Sequence, residues 1–180
     1  MRISVGEADA VIGGDLVVTS GQKALALMKQ GKTGLVCNSH EIITGDFTKN
    51  TEFTLPTDAM RLSVERKLGQ DRVTMIEANE LAAELLGDSI YSNVLLLGAA
   101  WQAGLVPLSA ESIREAIRLN GSGVDGNLQA FEIGRWAIAD GESLAKLLTP
   151  PADVIETLPA KIARREAHLK GHTGNRWAKR

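Results

Sequence analysis

At 180 residues the chain is long enough for one ordinary domain with a buried core, and 44% apolar with 23% charged residues is the composition of a soluble globular protein. An aromatic content of 4% removes the stacking platforms of single-strand nucleic-acid binders, and a single cysteine excludes an internal disulfide and points to a reducing, cytoplasmic setting. The net charge of −2 hides an asymmetry, because residues 160–180 hold seven Lys/Arg against one acidic residue and leave about −8 on the rest.

Three segments read as strands. "DAVIGGD" (Asp9–Asp15) and "TGLVCNS" (Thr33–Ser39) are short apolar runs bounded by glycine and polar residues, and "RVTMIEA" (Arg72–Ala78) is rich in β-branched side chains. None alternates cleanly between polar and apolar, the pattern of strands covered on both faces in a parallel sheet. The central strands are expected to include Asp9–Asp15 and Thr33–Ser39. Helical patterns lie between them: "GQKALALMKQG" from Gly21 to a stop at Gly31, and "TDAMRLSVERKLG" with Thr57 or Asp58 as N-cap and Gly69 as stop. This alternation predicts a three-layer α/β/α domain with a mainly parallel sheet.

After Asn79 the patterns are helical only. "NELAAELLG", "SNVLLLGAAWQAG" and "PLSAESIREAIRLNG" follow one another. In the last, Ser109 is the expected N-cap, Leu108 and Ile113 form a hydrophobic staple, and Ile113, Ala116 and Ile117 make the buried stripe. "GVDGNLQAFEIGRWAIADG" is a further helix whose small residues Ala130, Gly134 and Ala137 allow close approach of a neighbour. The run "VLLLGAAWQAGLVPL" is about 15 residues long and holds Gln102 and Pro107. A membrane span needs roughly 20 apolar residues, so it reads as a core helix and no membrane partner is expected. No charged-then-apolar leader opens the chain, and a cytoplasmic location is expected. "LTPPADVIETLP" (Leu148–Pro159) is Pro-rich. The expected organisation is therefore a domain over residues 1–148, then a hinge and basic helix or tail over 149–180. That tail lacks aromatic or glycine interleaving, so no nucleic-acid partner is expected.

Chemistry-bearing residues concentrate in "LVCNSHE". Cys37 lies inside an apolar strand, where alternation turns it away from Val36 and Asn38, and His40 points the other way from Cys37. A buried thiol with no base in reach is not a nucleophile. Asn38, Ser39 and His40 sit where α/β sheets place ligands, at the carboxyl end of a strand. The competing reading is that Asn38 and Ser39 cap the loop backbone. His168 and His172 have the four-residue spacing of a metal pair, but Gly171 interrupts the helix and no third ligand is suitably spaced, so no metal site is expected. "VIGGDLV" lacks G-x-G-x-x-G, and no Walker lysine follows a glycine loop.

The order of segments nevertheless resembles a family. "AD" before the first strand, "CNSHEI" after the second, "SNVLLLGAAW", "GLVPLS" and "NLQAFEIGR" are similar to the gamma domain of 2-oxoacid:ferredoxin oxidoreductases, nearest to the fused indolepyruvate ferredoxin oxidoreductases. The likeness covers about residues 1–140. It implies an oxidoreductase that oxidatively decarboxylates an arylpyruvate with CoA and ferredoxin, using thiamine diphosphate with Mg²⁺ and iron–sulfur clusters. It implies as partners the remaining domains of that enzyme and, through them, ferredoxin, CoA and the 2-oxoacid. Asn38, Ser39, His40 and Asn93 are then the candidates for a substrate/CoA channel or a domain interface, with no catalytic residue assigned.

None of those cofactors is expected on this chain. "VDGN" and "LGDS" are the nearest approaches to a thiamine Gly-Asp-Gly turn, one cysteine cannot hold a cluster, and the isolated chain is expected to be inactive. The family's opening GxGGxG turn does not precede Arg2, so the gamma-type domain is expected to be partial, part of a longer polypeptide. The alternative is a stand-alone α/β binding or interaction module without redox activity.

Overall fold

The computed structural model describes residues 3–39 and 56–148. Three strands, β1 (Ala10–Gly13), β2 (Gly34–Asn38) and β3 (Val73–Ile76), form one parallel sheet in the order β1-β2-β3. Ala10 stands opposite Gly34, and Leu35 opposite Val73. The eight α-helices among the described residues are α1 (Leu16–Thr19), α2 (Gln22–Leu27), α3 (Thr57–Leu68), α4 (Ala78–Leu86), α5 (Ser92–Gln102), α6 (Ala110–Asn120), α7 (Val124–Ala139) and α8 (Gly141–Leu148). The expected α/β class and parallel sheet are what the chain forms. The chain divides into two units, Met1–Leu144 and Ala145–Arg180. Of the second, the described residues are Ala145–Leu148, the end of α8, so the expected hinge and tail over 149–180 lie outside the described residues.

β2 explains why the sheet is layered on both sides. Every residue from Gly34 to Asn38 is buried, which a strand achieves only with neighbours at both edges and cover on both faces. On one face Leu35 and Cys37 join Leu16, Met28, Val64 and Leu68 in a core cluster filled out by Val11, Val73 and Met75. The other face meets α5, whose Leu95, Leu96, Ala99 and Ala100 are buried. There Gly34 leaves room for Leu105, which a Cβ would strike.

α5 and α7 approach closely because they have glycine at the crossing. A Cβ on Gly98 would collide with the carbonyl oxygen of Phe131, and one on Gly134 with that of Leu95. Ala130 is fully buried along the same side of α7, as its small-residue spacing predicts. Arg135 lies 4.6 Å from the centre of the Trp101 ring and closes this contact with a cation–π interaction.

Several local expectations need correction. The segment after Gly13 begins with the short α1, capped by Asp15, whose carboxylate accepts from the Val18 N–H at 2.7 Å. α2 ends at Leu27 rather than near Gly31, because Met28 turns extended and buries itself in the core. Pro56, and not Thr57 or Asp58, is the N-cap of α3; its missing N–H and fixed φ suit a helix start. β1 is an edge strand of the described sheet rather than a central one. Ser109 caps α6 as expected, accepting from the Ser112 N–H at 3.1 Å. Of the stripe behind it only Ile113 is buried, Ile117 being partly covered and Ala116 exposed. α8 continues the helical run past Gly141. Among the described residues no helix is long and apolar enough to cross a membrane.

The α5–α7 crossing yields a stability test. Gly134→Ala drives a Cβ into backbone, and overpacking of a tight core contact costs about 1–3 kcal/mol. Gly141→Ala meets no atom within 4 Å and should leave urea-denaturation midpoints close to wild type. Equal midpoints for the two variants would remove the close crossing as a determinant of stability.

Candidate functional site

The carboxyl ends of all three strands meet at one side chain. Asn38, the last residue of β2, is 2% exposed, and its amide is spent inside the fold. Nδ2 donates to the Gly14 carbonyl at 3.2 Å and to Asn79 Oδ1 at 2.7 Å, while Oδ1 accepts the Ala78 N–H at 3.1 Å. One amide thereby ties the exit of β1 to the exit of β2 and to the start of α4. Buried polar groups are stable only when bonded, and among the described residues no buried side-chain nitrogen or oxygen lacks a partner.

Ser39 continues the ladder, donating its N–H to the Ile76 carbonyl at 2.9 Å. Its hydroxyl donates to Glu77 Oε1 at 2.6 Å, a charge-assisted bond. Beside this pair a cleft of about 390 Å³ is lined by Leu16, Thr57, Asp58, Arg61 and Met75 together with Ser39 and Glu77 themselves. Leu16 and Met75 are its apolar lining, and the remaining groups are polar. Arg61 is committed to Glu65, its Nε lying 2.8 Å from Oε1, and that carboxylate raises the guanidinium pKa above its ordinary value. The cleft can hold a small polar group or a neighbouring side chain.

Of the four residues expected at the site, Ser39 lines the cleft, while Asn38 beside it in the chain is buried and is not among the lining residues. His40 lies outside the described residues. Asn93 is exposed in the first turn of α5 and is not among the residues lining the cleft. The sequence reading singles out Asp58 only as a helix cap, and Glu77, Asn79 and Arg61 not at all. "IEAN" could have been found, because it stands at the carboxyl end of β3 as "NSHE" stands at that of β2. Asp58 and Arg61 carry no such signal, since only packing of α3 brings them there.

Cys37 is fully buried. Burial pushes its thiol up to about 11, a hydrogen bond with Thr19 opposing the shift and the nearby Asp15 charge adding to it. Gly13 explains the fit, since a Cβ there would lie 2.8 Å from Cys37 Sγ. Gly13 of "VIGGD" is thus a packing device, and Gly14 supplies the carbonyl that Asn38 holds.

The cofactors implied by the resemblance do not fit the described residues. The one thiol is protonated and enclosed, whereas a cluster ligand must be a thiolate. "VDGN" lies in the first turn of α7, with Gly126 pressed against the Tyr91 ring at 2.5 Å from its would-be Cβ. "LGDS" is helix punctuation: Gly87 ends α4 at a φ of 82°, and Asp88 caps the next turn. Among the described residues no group of three or more His, Cys, Asp or Glu could hold a metal ion.

Residues 1–137 match the family model described as pyruvate ferredoxin/flavodoxin oxidoreductase. The chain is similar to the indolepyruvate oxidoreductase subunit IorB of Thermococcus kodakarensis, 39% identical over 84 residues, which is 45% of this chain and 41% of that protein. It is also similar to IorB of Pyrococcus horikoshii, 45% identical over 60 residues, 32% of this chain and 29% of that protein. The matched stretch thus spans less than half of either curated relative. No solved structure matches.

Two outcomes test this geometry. Asn38→Ala strands the buried Ala78 N–H and the part-buried Gly14 carbonyl and Asn79; at about 1–3 kcal/mol for a buried group left unpaired, and less for the part-buried two, the expected loss is roughly 2–4 kcal/mol by chemical denaturation. For Cys37, native-state labelling with a neutral thiol reagent should be slow and become fast on unfolding. Because the folded pKa stands above the ordinary 9.0, its contribution is intact below pH 9 and is lost as pH rises toward 11. The expected loss is about 2–3 kcal/mol. Cys37→Ala should lack that alkaline slope; a wild-type slope in the variant would assign it to another group.

Proposed function

This chain belongs to the pyruvate ferredoxin/flavodoxin oxidoreductase family, and from that premise we propose that it is a gamma-type accessory domain of a 2-oxoacid:ferredoxin oxidoreductase. The proposed reaction is oxidative decarboxylation of an arylpyruvate such as indolepyruvate, with CoA receiving the acyl group and ferredoxin the electrons. The family match over residues 1–137 carries the reading, and the likeness to two indolepyruvate oxidoreductase subunits supports the substrate class.

In this reading thiamine diphosphate, Mg²⁺ and the iron–sulfur clusters are held by other parts of a cytoplasmic enzyme, because the described residues offer neither a thiolate nor a diphosphate turn. Thiamine diphosphate supplies the electron sink that decarboxylation needs. This chain's own residues bind and shape. Asn38 sets where the strands end, and it acts through the groups it positions. Ser39, held by Glu77, and His40, next in the chain, are proposed to face a neighbouring domain or the substrate/CoA channel. Asn93 is proposed to meet that neighbour from the exposed start of α5. The accessory domain is proposed to run over residues 1–148, with 149–180 a hinge and basic tail.

The test is arylpyruvate-dependent ferredoxin reduction by the natural assembly. Activity is expected only when this chain is present with the rest of the enzyme, and the chain alone should show no turnover. An assembly lacking it that keeps full activity would refute the reading. Within the assembly, His40→Ala or Ser39→Ala should lower kcat/KM by roughly tenfold, about 1.4 kcal/mol. Unchanged kinetics for both variants would reduce the cluster to loop architecture.

A further inference from the structure

The cleft beside Ser39 is one-sided in what it can bond. Ser39 has committed both its donors, the N–H to the Ile76 carbonyl at 2.9 Å and the hydroxyl to Glu77 Oε1 at 2.6 Å. A hydroxyl carries one proton, so toward the cleft Ser39 offers lone pairs only. Glu77 is exposed, and its side chain is bonded to that neutral hydroxyl; among the described residues no cation is paired with it. Asp58, in the first turn of α3, adds a second exposed carboxylate to the lining.

Arg61 is the cation of the lining, and it does not offset them. Its Nε lies 2.8 Å from Glu65 Oε1, and Asp58 joins Glu65 in favouring its charged form. Asp58, Glu65 and Glu77 therefore stand against a single guanidinium in and beside the cleft. Ser39 is proposed to face either a neighbouring domain or a substrate/CoA channel, and this balance favours the domain. A 2-oxoacid carries a carboxylate and CoA carries phosphates, and a negative cleft repels both. A basic side chain fits it. Its hydrocarbon stem can lie along Leu16 and Met75 while its N–H groups reach the Ser39 hydroxyl oxygen and the carboxylates.

We infer that this cleft receives a lysine or arginine side chain from the remaining part of the oxidoreductase, so that Ser39 and Glu77 form a docking contact and not a wall of the ligand channel. The inference rests on the proposal that this chain works within a larger enzyme. Glu77 supplies the charge that recognises the partner, and Ser39, by donating to Glu77 Oε1, holds that carboxylate in place. Such a pair gives the contact its specificity and its salt dependence.

The test is titration of the rest of the enzyme with the full chain at several salt concentrations, followed by steady-state kinetics of the saturated assembly. Glu77→Gln keeps an acceptor for the Ser39 hydroxyl and removes the charge. It should weaken assembly by about tenfold and flatten its salt dependence. Glu77→Lys sets like charge against the docked cation and should weaken assembly further, by about a hundredfold. Asp58→Asn, at an exposed position, decides the matter if the Glu77 variants do not fold, and it too should bind more weakly with a flatter salt dependence. Affinity unchanged at every salt concentration in Glu77→Gln and Asp58→Asn overturns the inference. A shifted KM for CoA or the arylpyruvate with affinity kept assigns the cleft to an anionic ligand and also overturns it. In both cases the enzyme reading stands. A wild-type chain that neither binds the rest of the enzyme nor is needed for ferredoxin reduction overturns both.

Discussion

A single carboxamide is shared by three segments far apart in sequence. Asn38 holds Gly14, Ala78 and Asn79, so the first loop after β1, the end of β2 and the start of α4 cannot move independently. A buried amide is costly unless its donors and acceptor are all used, and here the strand order β1-β2-β3 places a partner for each. The parallel sheet and the Asn38 cluster depend on each other. Shift the register by one residue and the amide faces the other layer.

The same economy of space governs the rest of the body. Gly13 lets Cys37 and Thr19 meet behind β1, Gly34 admits Leu105, and Gly98 with Gly134 brings α5 and α7 to backbone contact. A scaffold packed through backbone rather than flexible side chains is stiff. It therefore presents Ser39 and Glu77 on fixed supports, and rigid strand ends are where binding groups are most accurately held. Its one thiol is used as a small apolar filler.

Much of this organisation was legible residue by residue. The apolar runs around Val11, Val36 and Thr74 located the strands, Ser109 and Gly69 the helix boundaries they mark, and Ala130 and Gly134 the side of α7 that packs. Local physics sufficed there, since caps, glycine stops and two-sided apolar runs act over a few residues. The same reading placed Asn38 and Ser39 at a strand end but left open whether their polar groups face inward or outward.

That choice needed the third dimension. Asn38 turns inward because Gly14 and Asn79 happen to lie within reach, 24 and 41 residues away, and no local pattern encodes such a meeting. Asp58 and Arg61 reach the cleft only through the packing of α3, and Met28 breaks α2 because a core position competes with helix continuation. β1 stands at an edge because strand order is a global property, set by which runs find partners. Residue types and their spacing settled which segments are strands and helices and which residues are polar at their ends, since those follow from short-range energetics. Long-range pairing alone settled what each polar end holds.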